Sequence, residues 1–173
     1  KTDKPDIGPY ELKLPTIDLG ITSVETSTCS DSKDVYVKIK NNGILTIDSS
    51  KFMWQISENG SAFVNQSNFT FKGKLPTEKD TIIKIGAYNF KPGSYTKVKV
   101  WVITSNNKKD SLATNDTLVT KPILFTMAGD ITIGGSSPYF PTIDSALRTA
   151  KRVGLCGPVR FLLRKIGRAS CRE

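Results

Sequence analysis

The stretch "YTKVKVWVIT", Tyr95 to Thr104, decides how the chain is read. Its period is two: Val98, Val100 and Val102 fall on one side, and Lys97, Lys99 and Trp101 on the other, because successive strand side chains point to opposite faces. A segment this rich in β-branched residues, apolar on one face and polar on the other, is expected to be a strand between core and solvent. The same alternation recurs upstream. In "VYVKIK", Val35, Val37 and Ile39 face inward while Tyr36, Lys38 and Lys40 face outward. In "KFMWQIS", Phe52, Trp54 and Ile56 face inward.

Working outward, the remaining runs of this kind are "IDLGITSV", "FTFKGK", "DTIIKIGAY" and "TLVTKPILF", separated by Gly, Asn, Asp and Pro. About seven short strands with turn signals between them predict an immunoglobulin-like β-sandwich over residues 18–125. A linker over residues 1–17 precedes it, and no helix is expected before Pro141.

The two tryptophans receive opposite assignments. Trp54 is expected in the core. Trp101, with Lys97 and Lys99, is the candidate ligand-binding group, since an outward indole beside lysines can stack on a sugar ring or a partner surface. The competing reading has Met53 of the neighbouring strand covering the indole.

The net charge of +9 divides into +4 over Lys1 to Phe125, +4 over Thr126 to Lys165 and +1 over the last eight residues. The first part carries 17 Lys and no Arg, spread singly, which describes a solvated surface and not a phosphate-binding patch. Nucleic acid is therefore not an expected partner. No apolar run approaches the roughly 20 residues needed to span a bilayer. Histidine is absent, which excludes Ser–His and Cys–His catalysis and His-based zinc sites. No catalytic residue, metal site or cofactor is expected.

The loop "TSNNKKDSLATNDT" reads as a long hairpin connection. Its Asp110, Asn115 and Asp116 lack the ligand spacing of a calcium loop, so a solvated turn is expected. Asn65, Asn68 and Asn115 head glycosylation-type triplets, which places those stretches at the surface.

After Phe125 the pattern changes. "DITIG" reads as a short strand and "GGSSP" as a turn. "TIDSALRTAKRVG" then carries Ile143, Ala146, Leu147, Ala150 and Val153 at helical spacing, with Thr142 as N-cap and Gly154 as the stop. Gly134 and Gly135 lack the spacing of a phosphate loop. A further strand is expected from Val159 to Leu163. The last eight residues, "IGRASCRE", resemble the in-frame translation of a sequencing adapter and leave the fold argument.

Two resemblances join these parts. "DLGITSV", the Cys29 segment leading into "VYVKIKNNG", and "GSYTKVKVWV" with "NNKKDSLATND" resemble CARDB-type, immunoglobulin-like adhesion modules of large secreted bacterial proteins. Residues 126–165, with "TIGG", "PTIDSAL" and "GLCGPV" in order, resemble the N-terminal cap of a right-handed parallel β-helix, here truncated. The resemblances imply a non-catalytic spacer or adhesion module of a secreted or cell-surface protein. Carbohydrate or a cell-surface protein is the implied partner, beside the rest of the parent chain. The alternative is an accessory module of a polysaccharide-binding or polysaccharide-cleaving β-helix enzyme whose catalytic coils lie elsewhere. A secreted home favours disulfides, but Cys29 and Cys156 fall in different parts of the chain. Each is expected to be free or paired outside it, since a bond between them requires the two parts to fold back on each other.

Overall fold

The computed structural model describes residues 15–29 and 33–164. The adapter-like tail and most of the expected linker lie outside them. In chain order the elements are β1 (Leu19–Thr26), β2 (Asp34–Asn41), β3 (Ile47–Glu58), β4 (Val64–Asn65), β5 (Phe69–Leu75), β6 (Asp80–Ala87), β7 (Tyr95–Ser105), β8 (Thr117–Val119), β9 (Ile123–Leu124), β10 (Met127–Ile133), α1 (Ile143–Val153) and β11 (Leu155–Leu163).

Two antiparallel sheets share one apolar core, giving a mainly β, sandwich-like fold. The first runs β1-β2-β6. The second is built on the long antiparallel pair β3 and β7; β4 and β5 extend it beyond β3, and β8 and β9 extend it beyond β7. The alternation read from the sequence sets which residues meet in the middle. Val35, Val37 and Ile39 come from the first sheet, and Phe52, Trp54, Ile56, Val98, Val100 and Val102 from the second, and all are buried in a single cluster. Each such side chain withdrawn from water contributes about 1.5–3 kcal/mol.

Trp54 is the hub of this core. Its side chain lies against the backbone of Gly86 on the opposite sheet, where a Cβ would stand 2.6 Å from the indole. Only glycine lets the sheets approach so closely there. The indole N–H does not go unpaired, donating to the Ser67 carbonyl at 3.0 Å. Phe90 and Phe125 stack with ring centroids 4.0 Å apart at one end of the core.

Beyond Phe125 the chain forms a strand–helix–strand unit in which β10 and β11 pair in parallel. The helix begins where capping chemistry places it. Thr142 accepts from the Ser145 backbone N–H at 3.2 Å, and Ser145 Oγ accepts from the Thr142 N–H at 3.3 Å. This reciprocal pair satisfies backbone donors that the first turn leaves open. Gly154, at φ 81°, ends the helix in a conformation that other residues avoid.

Several boundaries and contacts depart from the sequence reading. β3 starts at Ile47, four residues before the apolar pattern, because its polar first turn is held by pairing with β5. β11 starts at Leu155 and not at Val159, because Leu155 pairs with Met127 in the parallel register. The apolar stripe of α1 is buried only in part: Ala146 and Val153 are enclosed, while Ile143 and Leu147 are exposed. The helix packs chiefly on β10, with Arg152 reaching the Gly93 carbonyl, and this leaves the outer part of the stripe uncovered.

The largest correction concerns the cysteines. Cys29 and Cys156 are joined by a disulfide with Cα atoms 5.8 Å apart. No folding back is needed, because the segment after β1 runs beside the start of β10. Thr126 donates its backbone N–H to the Thr28 carbonyl at 2.8 Å, and Cys29 bridges Thr126 in parallel. The pairing of Met127 with Leu155 then brings Cys156 to the same place.

Candidate functional site

Trp101 sits at the middle of β7 with its indole on the outer face of the second sheet. Its cross-strand neighbours are Met53 on β3 and Thr117 on β8. The side chain is half-buried, resting on its neighbours with its other side open. Lys99 Nζ lies 5.3 Å from the ring centroid, within the range of a cation–π contact. Lys97 follows on the same face, opposite Ser57. The three residues singled out from the sequence are thus side by side on one face, and Met53 supports the indole from beside it and leaves it accessible.

The register adds residues that no local pattern marks. Lys51 and Gln55 flank Met53 on the outward side of β3, and Lys72 projects outward from β5 opposite Ser49. Gln55 donates its amide to Asn65 Oδ1 at 2.8 Å across the β3–β4 pair. The signal was present only as alternation in strands whose pairing the sequence does not reveal.

A second polar cluster lies where the β7–β8 loop meets the start of β1. Asn107 to Lys109 and Ser111 to Thr114 are exposed, as a solvated turn is, while Asp110 and Asn115 reach back to the start of β1. Asp110 Oδ2 accepts from the Leu19 N–H at 2.7 Å, and the Asn115 amide donates to the buried Asp18 at 2.7 Å. Asn115 is therefore held by the fold, whereas Asn65 and Asn68 are exposed as expected. Asp116 lies among these groups. Burial, reinforced by the charges of Asp110 and Asp18, pushes its carboxyl up to about 6, because the ionised form is poorly solvated beside like charges. Among the described residues, no three His, Cys, Asp or Glu side chains are arranged to hold a metal ion. The cluster ties the loop down.

A cleft of about 310 Å³ lies between the sandwich and the second unit, lined in part by Asn89, Lys91, Thr132 and Tyr139. Lys91 is turned toward Glu58 at 3.4 Å. Near it, Arg152 of α1 donates to the Gly93 carbonyl at 3.0 Å, so the helix is pinned to the sandwich as well as to β10. No helix among the described residues is long and apolar enough to cross a membrane. No protein-family model, curated protein or solved structure matches the chain.

Proposed function

We propose that the chain is a non-catalytic spacer and adhesion module of a secreted or cell-surface protein: an immunoglobulin-like sandwich joined to the cap of a β-helix. The observation that carries this reading is where the disulfide falls. Cys29 follows β1 and Cys156 lies in β11, 127 residues apart, so the bridge closes a covalent loop around all of β2 to β10 and α1. Tension applied along the chain passes from β1 through the bridge into β11. β1, which carries Leu19 and Ile21 of the core, lies on that path, but β2 to β10 and α1 are not drawn out by it, which suits a module that must hold its shape between domains. Persistent disulfides belong to oxidising surroundings outside the cytosol, in line with a surface location. The unburied apolar residues Ile143, Leu147 and Leu155 support the β-helix part of the reading, since stacked coils bury such a face.

Single-molecule extension from the two ends tests the reading. Under oxidising conditions the residues between the cysteines should stay locked. Adding a reductant should release up to about 440 Å of further length, from 127 residue steps at about 3.5 Å each. Full extension without reductant would show that the bridge does not carry the tension, and the spacer reading would lose its basis.

A further inference from the structure

The two outer faces of the sandwich treat their lysines differently. On the first sheet each central lysine is neutralised across the strands: Lys38 by Asp80 at 2.9 Å, Lys40 by Glu78 at 2.6 Å and Lys84 by Asp34 at 2.7 Å. On the second sheet the acids of β3, Asp48 and Glu58, stand at its two ends, and Glu58 is turned to Lys91. Neither β3 from Lys51 to Ser57, nor β4, β5, β7, β8 or β9, contains an Asp or Glu. Lys51, Lys72, Lys97 and Lys99 stand on this outer face without an ion-pair partner among the described residues; Lys99 leans over Trp101 instead.

We propose that this face binds an acidic polysaccharide, a polymer of uronic-acid type. The proposal rests on the adhesion half of the function given above and is independent of how the module bears tension. The four lysines and the indole cover about 27 Å along the strands, from Lys97 opposite Ser57 to Lys72 opposite Ser49, and about 10 Å across them, from a rise of about 3.4 Å per residue and a strand spacing of about 4.8 Å. That is a platform for an extended chain and not a pocket for one small anion. The indole offers a flat apolar surface for the C–H face of a pyranose ring. Unpaired lysines on either side meet carboxylates of neighbouring sugars, and Gln55 and Asn65 supply neutral hydrogen-bonding groups at the edge. Neutral glycans would leave the cationic field unused. A nucleic acid would need a succession of rings for its bases and gains from Arg; this face has one central indole and no Arg.

The test measures binding of the whole chain to polygalacturonate, to its neutral methyl-esterified form and to a thymidine oligomer, by calorimetry and tryptophan fluorescence. Polygalacturonate should bind, and the esterified form should bind about tenfold more weakly or worse. Lys97→Gln with Lys99→Gln should weaken binding about tenfold, while Lys38→Gln with Lys40→Gln, on the opposite face, should leave it unchanged. Trp101→Phe keeps an aromatic ring beside Met53 and should preserve the melting temperature while abolishing the fluorescence response to the ligand. Tighter binding of the oligomer would assign the face to nucleic acid and overturn the proposal. So would equal losses from both lysine pairs, or no binding to polygalacturonate. None of these outcomes alters the length released on reduction, so failure of this inference is separable from failure of the spacer reading.

Discussion

Removing the Cys29–Cys156 bridge is the perturbation whose size the structure sets most directly. A cross-link restricts the unfolded chain by an entropy of about 2.1 + 1.5R ln n cal/mol/K, where n is the number of residues in the closed loop. With n at 127 this is about 16.5 cal/mol/K, or about 4.9 kcal/mol at 25 °C. The folded state gives up little in exchange. Cys156 is exposed, and the junction keeps the Thr126–Thr28 hydrogen bond, the Arg152–Gly93 hydrogen bond and the parallel pairing of β10 with β11. Cys29→Ser with Cys156→Ser should therefore lower unfolding stability by about 2–5 kcal/mol, measured by urea denaturation in a Cys171→Ser background so that no third thiol can exchange. The denaturant slope should rise as well, because an unfolded chain free of the loop exposes more surface. The buried Trp54 reports on the sandwich directly. A loss below about 1 kcal/mol with an unchanged slope would refute the reasoning. It would mean that the sandwich unfolds without opening the loop closure, so that the bridge joins two units that do not melt together.

Two further perturbations address the core and the acidic cluster. Trp54→Ala should cost about 3–5 kcal/mol in the same denaturation experiment, since it empties the space against Gly86 and strands the Ser67 carbonyl; a cost under about 1 kcal/mol would remove Trp54 from the core. For Asp116 the sign follows from a folded-state pKa raised from 3.8 to about 6: its favourable contribution is complete below pH 3.8 and is lost as pH rises through about 6. A shift of that size is worth about 3 kcal/mol in a fully shielded site, and solvent access to this half-buried carboxyl reduces it to about 1 kcal/mol. Stability measured at pH 4 and pH 7 should fall by about that much more in the parent chain than in Asp116→Asn, and an identical pH dependence in both would show that the carboxyl is not destabilised by its surroundings.

What the sequence made legible was whatever a period of two can encode. The inward and outward sets of β2 and β7 follow from alternation alone, because each strand has one face in the core and one in water, and a slip of one residue would reverse every side chain. The helix was equally plain, since Thr142 and Gly154 define its ends locally; the reciprocal bond from Ser145 appeared only in the structure. What stayed hidden depends on partners far apart in the chain. Asp110 meets Leu19 across 91 residues and Asn115 meets Asp18 across 97; nothing in "NNKKDSLATNDT" announces that the loop will turn back on β1. The disulfide was missed for the same reason. Cys29 and Cys156 looked unrelated until the parallel bridge at Thr126 placed the two backbones together. At Trp101 the sequence supplied the face, and the strand order placed Met53 beside the indole and Lys51 and Lys72 further along the same face.

The position of the bridge and the position of the lysine-rich face bear on each other. Lys51, Lys72, Lys97, Lys99 and Trp101 all lie between Cys29 and Cys156 in sequence, so every strand of the second sheet is inside the covalent loop. Tension that drew out β1 or β11 would stop at the cysteines before it reached β3 or β7. Without the bridge, the same pull would run through β2 and β3 in turn, and the outward residues of β3 and β7 would lose the register that sets Met53 beside Trp101 and Gln55 beside Lys99. A binding face made of residues from several paired strands exists only while that register holds, because no single strand carries enough of it. On the proposed reading, the disulfide shields the strands whose pairing builds the proposed binding face and leaves exposed to load the strands that contribute no residue to it.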